Sequence, residues 1–119
     1  MMVDLFTRIL EIAEENRNAI DHMRDAGHEA AARDRDYKRI RAERMLELRA
    51  SGMAAGMVEK VAEGDDDVSN AKFAADCADA DMASDRELVQ NNKKVMDTLR
   101  SQMEFERVAR QEAEFYEYQ

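Results

Sequence analysis

Apolar side chains recur along this chain at spacings of three and four residues, the pattern of helices with one buried face. The strongest series lies within residues 66–115 and has eleven positions, nine of them apolar. Its members are Val68, Ala71, Ala75, Ala78, Met82, Asp85, Val89, Asn92, Met96, Leu99 and Met103. Because this spacing is close to the seven-residue repeat of a coiled coil, we predict one long helix over residues 66–115.

A second series predicts a long helix over residues 4–50. Its apolar face consists of Leu5, Ile9, Ile12, Ala19, Met23, Ala26, Ala30, Tyr37 and Ile40. Gly27 interrupts this face at a cost of about 1 kcal/mol relative to alanine, so the helix could break or kink there. Ser51 and Gly52 predict its end, because glycine reaches the left-handed conformation used at helix C-termini.

A short helix is predicted over residues 53–63, ending at Gly64. One side of it carries Val58, Val61 and Ala62. A helix of this length is unstable alone and must pack on a neighbour. The acidic run 65–67 then supplies acceptors for the first amides of the long C-terminal helix and negative charge for the positive end of its dipole.

These elements predict an all-α fold, a long antiparallel helical hairpin resembling a coiled coil with the short helix at the bend. We expect one elongated domain over residues 1–119. The candidate core or oligomer seam comprises Met82, Val89, Met96, Leu99 and Met103.

Further apolar side chains lie off these seams, namely Leu10, Ile20, Leu46, Leu88, Val95 and Phe105. A two-helix hairpin has only one internal face, so these residues need a second partner. We therefore expect a homo-oligomer, most simply a dimer that forms a four-helix bundle.

Composition changes the picture in one respect. Leu, Ile, Val and Phe make up only 21 of 119 residues beside a net charge of −9, which is typical of disorder. The absence of proline and the small number of glycines favour long helices instead. A β-sandwich, a disulfide-stapled domain and a doubly wound α/β enzyme are excluded.

The N-terminus lacks the pattern of a signal peptide, and no apolar run approaches the ~20 residues of a membrane span. We expect a cytoplasmic protein with no membrane contact. The single cysteine, Cys77, is flanked by Ala74, Ala75 and Ala78, and we expect it to be a small core residue.

No arrangement of residues predicts catalysis, a cofactor or a metal. His22 and His28 are six residues apart, about 240° around a helix, so they cannot share a metal and are expected at a surface or interface. The run 65–67 lacks the alternation of a calcium loop. A solvated face is the expected role of Asp76, Asp79, Asp81 and Asp85. The chain is therefore predicted not to be an enzyme.

Charge is unevenly distributed. Residues 33–49 carry seven basic and four acidic side chains, whereas residues 64–87 carry two basic and eight acidic ones. The simplest interpretation is that the two regions pair and set the antiparallel register. Alternatively, the basic stretch contacts phosphates, or the acidic stretch imitates DNA toward a nucleic-acid-binding protein.

A series of short motifs runs through the chain from Tyr37 onward. They are Leu46-Glu47-Leu48-Arg49 with Gly52, Ala62-Glu63-Gly64-Asp65, Val68 with Ala71-Lys72-Phe73, Asp76 with Ala78, Lys93-Lys94, Leu99-Arg100, and Arg110 with Glu112. Over residues 37–112 the chain resembles a family of small helical proteins from the early regions of tailed phages and prophages, mostly of Gram-positive bacteria. The resemblance implies a phage origin, a bacterial host cytoplasm and genes of recombination or single-strand binding nearby.

We therefore expect a non-enzymatic phage accessory protein that oligomerises and contacts a macromolecule in phage DNA recombination or replication. One alternative is a counter-defence protein, either an acidic decoy or a trap for a nucleotide signal between subunits. Another is a structural coiled-coil scaffold. The candidate phosphate or partner contacts are Arg49, Lys72, Lys93 and Arg100.

Overall fold

A computed structural model describes the backbone of residues 2–117 and the side chains of residues 4–117, and over this range the protein is all-α. Three helices follow one another along the chain: α1 (Met2–Ala50), α2 (Ala55–Glu63) and α3 (Asp66–Glu117). The predicted all-α helical hairpin with a short helix between two long ones is confirmed. The short helix begins at Ala55 rather than at residue 53, and α3 continues to Glu117.

The helix α1 does not break at Gly27. Its helical conformation is continuous from Met2 to Ala50. Gly27 is half-buried, and a methyl group added to it would lie 3.5 Å from the sulfur of Met82. Packing against α3 therefore supports the helix at the point where its intrinsic propensity is lowest.

The end of α1 is a glycine-dependent turn. Gly52 has a φ of +93°, its N–H donates to the carbonyl of Arg49 at 3.0 Å, and the N–H of Met53 donates to the carbonyl of Leu48 at 3.2 Å. These two bonds form a Schellman motif. The side chains of Met53 and Leu48 belong to one apolar cluster with Val58 and Ala62, so the turn directs the chain into α2.

The start of α3 is capped as the acidic run predicts. The Asp65 carboxylate accepts hydrogen bonds from the backbone N–H of Asp67 at 3.0 Å and of Val68 at 3.4 Å. Val68 is fully buried one turn into the helix. The cap therefore fixes where α3 begins and, with it, which of its residues face the core.

The described residues form two compact units, and the single domain expected from the sequence stays a prediction. Unit 1 combines α1 up to His22 with α3 from Asp85 onward, and unit 2 comprises Met23–Ser84. Within unit 1 the helices are antiparallel, because Asn16 faces Asn92 and His22 faces Asp85. Unit 1 buries Ile9, Ile12, Asn16, Ala19, Val89, Asn92 and Met96.

Unit 2 contains α2 and the apolar cluster beside the turn. The two long helices are antiparallel here as well, since Tyr37 contacts Lys72 and Arg44 contacts Asp65. Its buried side chains are Ala30, Leu48, Val58, Ala62, Val68, Ala75 and Ala78. None of the described helices is long and apolar enough to cross a membrane.

Three predicted environments are wrong. Cys77 is exposed and Val61 is 36% exposed, because each lies one residue before a buried alanine and a helix turns by about 100° per residue. Asp85 does not belong to a solvated face: its side chain is only 17% exposed and lies against His22. Asp76, Asp79 and Asp81 are exposed.

Candidate functional site

The densest polar cluster in the described residues joins α1 to α2 within unit 2. Arg41 donates from Nε to Glu63 at 2.5 Å and from Nη2 to Glu59 at 2.8 Å. The hydroxyl of Tyr37, one turn earlier on α1, donates to Glu63 at 3.0 Å. Glu63 therefore accepts from two side chains of α1, and the cluster clamps the C-terminal end of α2.

The ionisation of this cluster follows from its contacts. The hydrogen bond from Arg41, which outweighs burial and is reinforced by Tyr37, lowers the pKa of Glu63. Burial, and then the hydrogen bond to Glu63, raises the pKa of Tyr37. Glu63 is thus held as a carboxylate and Tyr37 as a phenol, so the cluster offers neither a nucleophile nor a proton donor poised near neutral pH.

Tyr37 also links the cluster to α3. The ammonium group of Lys72 lies 5.4 Å from the centre of the Tyr37 ring, within the range of a cation–π contact. The same ammonium is 3.8 Å from Asp76, one turn along α3. Of the candidate phosphate contacts, Lys72 is therefore already engaged on both sides.

The basic stretch 33–49 is largely neutralised by short-range ion pairs. Arg44 Nε lies 3.0 Å from Asp65, although its N–H is not directed along a hydrogen bond. Arg33, Lys38 and Arg39 pair with acids four residues away on α1 itself. Only Asp65 among the acids of 64–87 is in ionic contact with this stretch, so the predicted pairing of two charged regions occurs at one point.

A groove of about 460 Å³ lies between α1 and α3 in unit 2. It is lined by Arg33, Asp36, Arg39, Ile40, Glu43, Asp67, Asn70, Ala71 and Ala74. The small side chains of Ala71 and Ala74 leave the space, and charged groups of both signs surround it. Small-molecule sites are enclosed and mainly apolar, so this open groove with charged side chains around it lacks their character.

A buried amide pair lies in unit 1. Asn92 donates from its side-chain amide to the side-chain oxygen of Asn16 at 3.3 Å, and the two residues are 8% and 5% exposed. Asn92 belongs to the predicted seam, but the sequence reasoning missed Asn16. The signal was available, since Asn16 is four residues after Ile12 and three before Ala19.

The other candidate contacts are distributed over both units. Arg49 is exposed in the last turn of α1 in unit 2. Lys93 and Arg100 are exposed on α3 in unit 1, and Arg100 lies 3.6 Å from Asp97. Lys93 and Arg100 are seven residues apart and share one side of the helix.

The candidate seam residues all face the helix pair to some degree. Val89 and Met96 are buried. Met82, Leu99 and Met103 are half-buried. Their role in an oligomer stays a prediction.

Both histidines are exposed. His22 Nδ1 lies 2.7 Å from the Asp85 carboxylate in a pair between α1 and α3. Among residues whose positions are described, no three His, Cys, Asp or Glu side chains are grouped so that they could hold a metal ion.

Comparison with known proteins adds no relative: no protein-family model, no curated protein and no solved structure matches the chain.

Proposed function

We propose that this protein is a non-enzymatic accessory protein of a phage or prophage that assembles with copies of itself and contacts a macromolecule in the host cytoplasm. The phage setting and a role in DNA recombination or replication rest on the sequence resemblance over residues 37–112. The self-assembly rests on the distribution of apolar side chains in unit 1.

That distribution is the observation that carries the proposal. Four large apolar side chains are buried in unit 1, namely Ile9, Ile12, Val89 and Met96. Twice as many large hydrophobic side chains are at least 36% exposed there, namely Phe6, Leu10, Leu88, Val95, Phe105, Val108, Phe115 and Tyr116. Among them Leu88, Val95 and Phe105 share one face of α3, and apolar side chains gathered on one exposed face mark a contact site in water-soluble proteins.

Sedimentation equilibrium of the full chain tests self-assembly. We expect a mass of at least twice the 13.7 kDa of one chain at micromolar concentration. A folded species that keeps the mass of one chain up to about 100 µM would overturn the proposal, since stable oligomers have dissociation constants well below that concentration.

The nucleic-acid role is tested with a fluorescently labelled single-stranded oligonucleotide. We expect binding at about 50 mM salt and its loss at about 200 mM, because phosphate contacts release counterions. Lys93→Gln, at an exposed lysine of α3, should weaken binding. Arg44→Gln, whose side chain is already ion-paired with Glu47 and Asp65, is the matched control. Absence of binding at the lower salt concentration would contradict this role.

A second candidate, an acidic decoy for a nucleic-acid-binding protein, is favoured by one observation. Asp79 and Asp81 on α3 are exposed, and the basic stretch 33–49 is paired elsewhere. Carboxylates repeated along a helix present a field like that of a phosphate backbone. A decoy should prevent a nucleic-acid-binding protein from binding DNA, and an Asp79→Asn, Asp81→Asn variant should lose this inhibition. That result would distinguish the decoy from a DNA binder.

A further inference from the structure

A second stripe, separate from the buried seam, runs along α3 in unit 1. We call it the α3 stripe, and it consists of Leu88, Asn91, Val95, Thr98, Gln102 and Phe105. The intervals between its members are three, four, three, four and three residues, so they share one face of the helix. All six side chains are exposed.

None of these six exposed residues is charged, in a chain of which 38% is charged. A solvated helix face normally carries the charges, as α1 does in unit 2. The stripe keeps the heptad spacing over about 26 Å of helix at 1.5 Å per residue. Such a surface is shaped to receive the side chains of another α-helix.

The order of side chains along the stripe identifies that helix. From either end inward, the stripe presents a large apolar residue, then an amide, then a β-branched residue: Leu88, Asn91 and Val95 from one end, Phe105, Gln102 and Thr98 from the other. A two-fold axis between Val95 and Thr98 therefore places each side chain opposite one of the same chemical class. Self-complementarity of this kind is what an isologous interface requires.

We infer that the α3 stripe binds the same stripe of a second copy in antiparallel orientation. Leu88 then packs on the copy's Phe105, Asn91 lies beside the copy's Gln102, and Val95 packs on the copy's Thr98. The inference rests on the self-assembly proposed above and specifies the surface that performs it.

Charges on α1 support the same axis. Asn92 faces Asn16 and Asp85 faces His22, so the centre of the α3 stripe lies level with residues 11–12 of α1. A two-fold rotation about an axis at that level places Arg8 opposite Glu15 of the copy. The same rotation places Glu15 opposite the copy's Arg8. Glu11, next to the axis, is already ion-paired with Arg8 of its own chain at 3.2 Å.

The row of α1 that carries Arg8 and Glu15 lies on the same side of the helix pair as the α3 stripe. Arg8 comes directly before the buried Ile9, and Glu15 comes directly before the buried Asn16. In the same way, Leu88 and Val95 on α3 come directly before the buried Val89 and Met96. In unit 2, residues that come directly before buried ones on the two antiparallel helices lie on the same side of the helix pair. Its groove is lined from α1 by Asp36 and Glu43 and from α3 by Asp67 and Ala74, which precede half-buried or buried residues in the same way.

The first experiment compares two variants by sedimentation equilibrium. The test variant is Leu88→Gln with Phe105→Gln. The matched control is Met57→Gln with Phe73→Gln in unit 2, at large hydrophobic side chains that are 55% and 70% exposed in the single chain. We expect the test variant to raise the dimer dissociation constant at least about a hundredfold and the control to change it less than about threefold.

The outcomes separate the two proposals. A wild-type chain that is monomeric refutes self-assembly itself. A wild-type dimer that survives Leu88→Gln with Phe105→Gln, or that is dissociated by the control variant instead, refutes the α3 stripe and leaves self-assembly standing. Far-UV circular dichroism of both variants checks that the helices are retained.

A charge exchange tests the axis independently. Arg8→Glu should raise the dimer dissociation constant about tenfold, and Arg8→Glu with Glu15→Arg should restore it to within about threefold of the wild type. Failure of the double variant to recover would place the two-fold elsewhere on this face. The helicity of the two variants at a concentration below the dissociation constant serves as the folding control.

Discussion

The two units stabilise the same pair of helices by different means. In unit 2 a third helix, a glycine turn and the clamp formed by Arg41, Glu59 and Glu63 surround an apolar cluster. In unit 1 two helices meet alone, and a buried Asn16–Asn92 pair occupies part of their seam. Closure by the chain's own elements is thus more complete in unit 2, where four large hydrophobic side chains are at least 36% exposed, than in unit 1, where eight are.

This difference shows how a seam with one continuous helical periodicity can have different functions along its length. Where the chain supplies a third helix, the seam forms a core. Where it does not, two helices bury too little apolar surface to offset the entropic cost of ordering their residues. Assembly with a second copy then supplies the missing buried surface.

The most direct way to break unit 2 is to remove Leu48 from its core. Leu48 is 7% exposed and contacts the cluster with Val58 and Ala62. We expect Leu48→Ala to lower the free energy of unfolding by about 3 kcal/mol through lost transfer energy and a residual cavity. Urea denaturation followed by circular dichroism measures the change.

Leu46→Ala is the control for that experiment, because Leu46 lies on the same helix and is 68% exposed. We expect it to cost less than about 0.5 kcal/mol. Equal effects at both positions would show that the cluster does not form the core of unit 2.

The amide pair is the corresponding test of unit 1. Asn16→Leu leaves the buried amide of Asn92 without its partner and should cost about 2 kcal/mol. Asn16→Leu with Asn92→Leu should be at least as stable as the wild type, but with the register less uniquely defined. Denaturation gives the stabilities, and the dispersion of NMR amide resonances reports the uniqueness of the structure.

A result in which the double variant is less stable than either single one would contradict this account. It would mean that the two amides stabilise unit 1 beyond satisfying one another.

The turn that belongs only to unit 2 can be tested at Gly52. Its φ of +93° lies in the left-handed region, so Gly52→Ala should cost about 1 kcal/mol or slightly more. Gly56, in α2 and with no heavy atom within 4 Å of an added methyl group, is the control. We expect Gly56→Ala to be neutral or stabilising in the same denaturation assay.

The smallest expected effect concerns the clamp. Arg41 lowers the pKa of Glu63 below its ordinary value of 4.5, so the stabilisation is present above pH 4.5 and is lost as the pH falls through the lowered pKa. The carboxylate is 35% exposed, so Glu63→Gln should cost about 1 kcal/mol or less at pH 7. The difference in unfolding free energy between wild type and variant, measured from pH 7 to pH 2, should shrink toward acid pH. A difference that grows toward acid pH would contradict the assigned sign.

Much of the fold was readable from the sequence because helical periodicity is local. All eleven positions of the predicted α3 seam, from Val68 to Met103, are buried or half-buried. The Gly52 stop and the Asp65 cap were also predictable, since both depend on the conformational preferences of a few adjacent residues.

What could not be predicted depends on distant residues meeting. The partner of Asn92 lies 76 residues away, and Arg41 pairs with Glu59 and Glu63 of α2 rather than with the acids of α3. Alternative registers satisfy the same periodicity, so the choice among them is made by specific side-chain contacts. Cys77 and Val61 were misplaced for a simpler reason, since alanine-rich stretches define the centre of a helix face poorly.

The separation of contacting residues along the chain has a kinetic consequence. Arg41 and Glu59 are 18 residues apart, whereas His22 and Asp85 are 63 apart and Asn16 and Asn92 are 76 apart. Short loops close at a lower entropic cost than long ones, so nucleation is expected at the α1–α2 turn, with the helices then zipping away from it. The amide pair and the α3 stripe form late on this route, and the surface we propose for assembly is completed only after the rest of the hairpin has folded.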